Sequence, residues 1–134
     1  MIDWLCIDWN DTLSMNLVPF RSAAWSNMPR SWKLEAMRFA REDLWPLLLK
    51  QRTPKLAICF GAASAKVLRE VLSHSQCQHF PVGWGRVRAD VSESGGTVVI
   101  RLPHLSRYRI FKRAQGLADL KRLREALRSS GVVG

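Results

Sequence analysis

Four residues carry the chemistry that this sequence spells most openly: Asn16, Gly61, His104 and Ser106. An asparagine side chain offers a donor and an acceptor side by side, a pairing that can read the edge of a planar heterocycle. An imidazole can stabilise negative charge as it develops on a neighbouring oxygen. A serine hydroxyl can hold a phosphate, and a glycine lets backbone approach a ligand closely. Each of the four stands at or just after the end of a segment that reads as a strand. In open α/β sheets, ligands bind in the crevice beyond the carboxyl ends of the strands. Three strand ends, carrying Asn16, Gly61, and His104 with Ser106, would then converge on one crevice.

The elements that must position them centre on Pro54–Leu72. Leu56 to Phe60 is a continuous apolar run, as in a strand covered on both faces. Gly61 ends it, and Ala62, Ala65, Val67, Leu68, Val71 and Leu72 recur at helical spacing. A strand, a glycine turn and a helix form the unit of a parallel α/β sheet.

Around that unit the chain reads as follows. Met1–Trp9 suits a short helix or an edge strand equally, and Asn10-Asp11 marks a turn. Thr12–Val18 alternates like a strand and stops at Pro19, and residues 19–32 read as a loop. Ser31 is the expected cap of a helix whose apolar residues run from Leu34 to Leu49, kinked or restarted at Pro46. Ser73–Pro81 reads as a loop. Strands are expected over Val82–Val91, whose part from Gly85 on should be an edge, and over Thr97–Leu102, whose Val98–Ile100 should be central; Ser92–Gly96 joins them. Leu117, Leu120, Leu123, Ala126 and Leu127 mark a closing helix. The expected fold is a single α/β domain over residues 1–134, with a small, mostly parallel sheet flanked by helices.

Charge narrows the partners. Twenty-one Lys/Arg against eleven Asp/Glu give a net +10 over 134 residues. Residues 101–128 hold nine of those cations and two acids, which is seven of the ten net charges. Such a surface favours a polyanion, usually nucleic acid. The candidate contacts are Arg101, Ser106, Arg107, Tyr108, Arg109, Lys112, Arg113, Lys121, Arg122 and Arg124, with Arg128 beyond them. No cofactor motif is present, and Cys6, Cys59 and Cys77 are too widely spaced for a zinc framework. His74, Cys77 and His79 form only a weak metal signal. Reduced thiols, no apolar run long enough for a membrane span and no signal-peptide pattern imply a cytoplasmic chain with no membrane partner.

In order and spacing, SMNLVPFRS, a proline-broken helix, PKLAICFGAASAKVL and VVIRLPHLSRY resemble the uracil-DNA glycosylase superfamily over roughly residues 12–128. The resemblance implies that Asn16 reads the base, Gly61 forms the strand-end turn and His104 stabilises the anion. It further implies that Ser106 contacts phosphate and that Arg107 and Tyr108 form part of a wedge. Two departures go with it. The family's first motif, a glycine-rich loop with a water-positioning residue and a stacking aromatic, has no match upstream of Asn16. Leu105 stands where the family has proline. In the family the corresponding strand sits mid-sheet, so the resemblance implies a remodelled sheet, with Ile2–Ile7 replacing the strand, the sheet closing up, or another chain filling the gap as in a homodimer.

Three functions follow as expectations. The first is a non-catalytic binder of nucleic acid or a nucleoprotein complex through the basic C-terminal face, acting as an inhibitor or modulator of the kind mobile elements carry. The second is a minimal glycosylase using Asn16 and His104. The third is a basic domain that binds an acidic protein partner, with exposed tryptophans such as Trp25, Trp32 and Trp84 as anchors.

Overall fold

The computed structural model describes residues 2–18 and 24–133. Helix α1 (Ile2–Leu5) opens the chain, and a 3-10 turn follows at Trp9–Asp11. That turn is tied by the Asp8 carboxylate, which accepts from the Asn10 backbone N–H at 2.9 Å. Then come α2 (Arg30–Phe39), a π turn (Ala40–Leu44), α3 (Trp45–Gln51), β1 (Leu56–Phe60) and α4 (Ala62–Val71). Strands β2 (Gln78–Trp84), β3 (Val87–Ser94) and β4 (Thr97–Leu102) form a meander, and α5 (Leu117–Ser129) closes the chain.

The sheet has the order β1-β4-β3-β2. β1 runs parallel to β4, while β3 pairs antiparallel with both β4 and β2. The architecture is α/β, but the sheet is mixed rather than mostly parallel. Two-residue turns force the antiparallel pairs: Ser94 faces Thr97 across Gly95-Gly96, and Trp84 faces Val87 across Gly85-Arg86. Both glycines of the first turn take positive φ, as does Gly85 in the second.

The unit around Gly61 forms as its sequence dictates. Gly61 has φ +100° and donates its N–H to Leu102 O at 3.2 Å, which clamps the carboxyl ends of β1 and β4 together. One face of the sheet (Val82, Ala89, Val91, Val98, Ile100, Leu102) packs on Leu120, Leu123 and Leu127 of α5 and on Leu5 of α1. The other face (Cys59, Val99) packs on Ala65 and Leu68 of α4, with Trp45 and Leu49 behind them. Val98–Ile100 is fully buried and central, as expected.

Several expectations give way. Thr12–Val18 forms no strand. Its end instead docks on the helical layer, where Val18 packs with Ala36 and Ala40, and Trp45 Nε1–H donates to Leu17 O at 3.0 Å. Ile2–Leu5 is helical and supplies Leu5 to the core, so it does not stand in for a strand. Residues 19–23, the first part of the expected loop, lie outside the described residues. α2 begins at Arg30, directly after Pro29, and Ser31 lies inside it rather than capping it. The face that α2 buries is Ala36 and Ala40, while Leu34 is exposed.

At Pro46 the helix neither breaks nor restarts. It widens into the π turn just ahead of the proline, and backbone dihedrals stay helical from Ala40 to Trp45. The wider turn makes room for a ring that lacks an N–H and crowds the carbonyl one turn earlier. The expected strand over Val82–Val91 is two strands, and β2 starts at Gln78, inside the expected loop. β3 is consequently interior, not an edge. Its alternation has another origin: Asp90 and Ser92 face the α4 side, buried in a polar cluster.

Candidate nucleic-acid interface

The segment after β4 is ordered by its own apolar residues. Ile110 is fully buried, and Leu105, Tyr108 and Phe111 pack against the α5-side core. With 105, 108 and 111 turned inward, His104, Ser106, Arg107, Arg109 and Lys112 are left exposed. A tight turn sets the first of these, because Arg107 N–H and Tyr108 N–H both donate to His104 O at 3.0 Å. Within it, Ser106 Oγ lies 2.8 Å from His104 Nδ1. When Ser106 donates, the imidazole proton sits on Nε2, directed away from the turn.

Beside this turn a pair of rings is flanked by two cations. The Arg113 guanidinium carbon lies 4.3 Å from the centroid of the Trp84 ring. Trp84 meets Tyr108 edge to face at 5.7 Å, and Arg107 lies 5.6 Å from the Tyr108 centroid. The order is thus Arg113, Trp84, Tyr108, Arg107. Arg113 is further steadied by Gln115, whose Oε1 accepts from Nη2 at 3.0 Å. Each guanidinium keeps its charge while part of it rests on a ring, so it needs no carboxylate partner.

α5 adds to the same side of the sheet. Its apolar residues turn inward, leaving Lys121, Arg122 and Arg128 exposed. Lys121 and Arg122 approach Glu125 and Asp119 only at 4.0 Å, so these are loose, solvated pairs.

Two sequence candidates do not belong to this surface. Arg124 is half-buried under the N-terminus, where its Nη2 donates to Cys6 Sγ at 3.1 Å. Arg101 points to the opposite face of the sheet. Its Nε–H bonds the Asp90 carboxylate, and its Nη2 reaches Arg88 O at 3.3 Å. Counting charge along the chain cannot reveal that a cation is already neutralised by an acid on the neighbouring strand.

Asp90 accepts from His79 Nδ1 at 2.8 Å and lies 3.8 Å from Arg69 Nη1. Ser92 Oγ bonds Arg69 Nε at 3.2 Å and His74 Nδ1 at 2.8 Å. Burial pushes Asp90 up, but hydrogen bonds from Arg101 and His79 outweigh it and hold the carboxyl below its usual value. Arg101 in turn is pushed up by Asp90. His74 is pushed down, first by burial and then by Arg69, so it is neutral at pH 7. The histidines thus brace β2 and β3. Among the described residues no group of His, Cys, Asp and Glu could hold a metal ion.

Gly61 and His104 both lie just past the adjoining ends of β1 and β4, where Gly61 N–H donates to Leu102 O. Asn16 is not at a strand end. It is exposed, in a stretch without regular structure, beside residues docked on α2, and among the described residues it makes no hydrogen bond. Trp84 is the residue that sequence reasoning misplaced. It is half-buried within the basic surface, whereas Trp25 and Trp32 are exposed, at 45% and 67%. The signal was present in the sequence as an aromatic directly before the Gly85-Arg86 turn.

The chain matches no family model, no curated protein and no solved structure. Among the described residues no helix is long and apolar enough to cross a membrane.

Proposed function

We propose that this chain binds nucleic acid, alone or within a nucleoprotein complex, without catalysing a reaction on it. The observation that carries the reading is the array Arg113, Trp84, Tyr108, Arg107, continuous with the His104–Ser106 turn and flanked by Arg109 and Lys112. Cations set for phosphate beside aromatic rings are the usual composition of a surface that follows a nucleic-acid backbone. The scaffold itself is proposed to be glycosylase-like, on the strength of the resembling segments and of Gly61 and His104 following the adjoining ends of β1 and β4. Such a binder would act as an inhibitor or modulator by occupying a strand that other machinery needs.

The glycosylase alternative keeps His104 after a strand end, but Asn16 lies in a stretch without regular structure rather than at the end of a strand. Binding to single-stranded and duplex oligonucleotides, each with and without one uracil, separates the two readings. The proposal expects salt-dependent binding, no uracil preference and no abasic product. Abasic product that disappears in Asn16→Ala or His104→Ala would make this an enzyme.

A further inference from the structure

The two edges of the sheet are built differently. β2 carries the usual defences: Pro81 within the strand, a register irregularity between Pro81 and Trp84, and Gly83 at φ +72°. It is also covered, because the Ala114–Gly116 turn lies hard against Gly83. β1 has none of these. Leu56 to Phe60 contains no proline, charge or bulge, and its register against β4 is unbroken.

The register also shows which backbone groups of β1 are spare. Lys55 C=O accepts from Val98 N–H at 2.9 Å, and Gly61 N–H donates to Leu102 O. In a parallel ladder the N–H and C=O of one residue point to the same side, and successive residues alternate. Residues 55, 57, 59 and 61 therefore face β4, and Leu56, Ile58 and Phe60 turn their backbone groups outward. Among the described residues the one group that reaches any of them is Ser64 Oγ, at 3.4 Å from Phe60 O. The side chains of Leu56 and Ile58 are partly buried in the core, so this open edge is held straight from within.

The chain leading into and out of β1 is basic. From Leu44 to Arg69 the sequence holds five cations and no acid. Arg69 is committed to Ser92 and Asp90, and Lys66 lies 3.8 Å from Glu70, whereas Lys50, Arg52 and Lys55 are exposed. A second copy would bring the same cations to the same place, on a chain of net charge +10. We propose that the β1 edge is a docking site for an extended, acidic segment of a protein partner, added as a further strand. The site is independent of the basic surface on the α5 side.

Amide hydrogen exchange followed by NMR on the full chain tests this, with a short synthetic peptide of alternating valine and glutamate as the probe. In the free protein Leu56, Ile58 and Phe60 should exchange about tenfold or more faster than Ala57, Cys59 and Gly61. The peptide should slow the first three, and a valine–lysine peptide should not. Ile58→Pro removes an outward N–H without touching a bond to β4, and should abolish the effect. Should that variant fail to fold, Lys50→Glu with Lys55→Glu leaves the ladder intact and should weaken binding about fivefold. Equal exchange of odd and even residues in the free monomer would overturn the proposal, as would an acidic peptide that leaves these amides unchanged. Protection that rises with protein concentration alone would assign the edge to a second copy, and protection by an oligonucleotide would assign it to nucleic acid. Either outcome overturns the acidic strand.

Discussion

The guanidinium carbon of Arg113 stands 4.3 Å from the centroid of the Trp84 ring, although the two residues are far apart in sequence and on different elements. The contact joins the end of β2 to the segment that leads into α5. It fixes a cation on a surface where few acids are available to pair with it.

Arg113→Ala should therefore do two separable things. Loss of the cation–ring contact should cost about 0.5–1 kcal/mol of stability, read by denaturant unfolding. Loss of one phosphate contact should flatten the salt dependence of nucleic-acid binding by about 0.7–0.9 in log–log slope. Arg113→Lys keeps the charge and should restore more of the slope than of the stability. A stability change with no change in slope would confine Arg113 to a structural role.

Gly83→Ala tests the covered edge. A Cβ there would meet Gly116 Cα at 2.3 Å and Gly116 N at 2.8 Å, both backbone atoms, at a φ that favours glycine. We expect a loss of about 2–4 kcal/mol. Gly85→Ala is the control, because its Cβ would meet nothing within 4 Å and only the positive φ is at issue. Its cost should be nearer 1 kcal/mol. Equal effects would mean that the 114–116 turn does not pack on β2 as described.

Acid should loosen the cluster at Asp90. Its carboxyl is held below the usual value, so the contribution is fully present above an unfolded pKa of about 3.9 and is lost as pH falls through the lower folded value. His74, held below 6.5, acts in the same direction, losing stability as pH falls from there towards its folded value. Asp90→Asn should remove the lower of these two phases and cost about 2–4 kcal/mol at pH 7, by leaving Arg101 partly buried without its partner. Urea unfolding from pH 7 down to about pH 2 reads both. An unchanged low-pH phase in the variant would place the titrating group elsewhere.

The three thiols should react unequally. Cys59 is buried, and burial pushes its thiol up to about 11. Cys6 and Cys77 are exposed. A thiol reagent at neutral pH should label two cysteines rapidly and the third only on unfolding. Rapid labelling of all three would contradict the buried placement of β1 against α4.

How much of this was legible in the sequence varies by element, for physical reasons. Leu56 to Leu72 could be read because an apolar run and a helical period meet at a glycine, and local pattern and tertiary packing agree there. Thr12–Val18 alternates just as plausibly, but a strand needs a neighbour, and Leu17 and Val18 found α2 and Trp45 instead. β3 was misread because Asp90 and Ser92 are polar, and alternation alone does not distinguish a solvated face from one buried with arginines. The same blindness placed Arg101 and Arg124 among the phosphate contacts. Side-chain pairing across strands is set by register, which charge along a chain does not encode. The segment from His104 to Arg113 was placed correctly as a basic strand-end loop. Trp84, its ring partner, lies in another element and was read as a protein anchor.

The central claim is that the surface formed by Arg107, Arg109, Lys112 and Arg113 engages phosphates. Affinity for an oligonucleotide across a salt series measures this most directly, in the native chain and in Arg107→Ala/Arg109→Ala/Lys112→Ala. The account predicts a steep loss of affinity with salt, and a slope reduced in the triple variant by about 2. An equally steep slope in the variant, or binding that salt leaves unchanged, would contradict it.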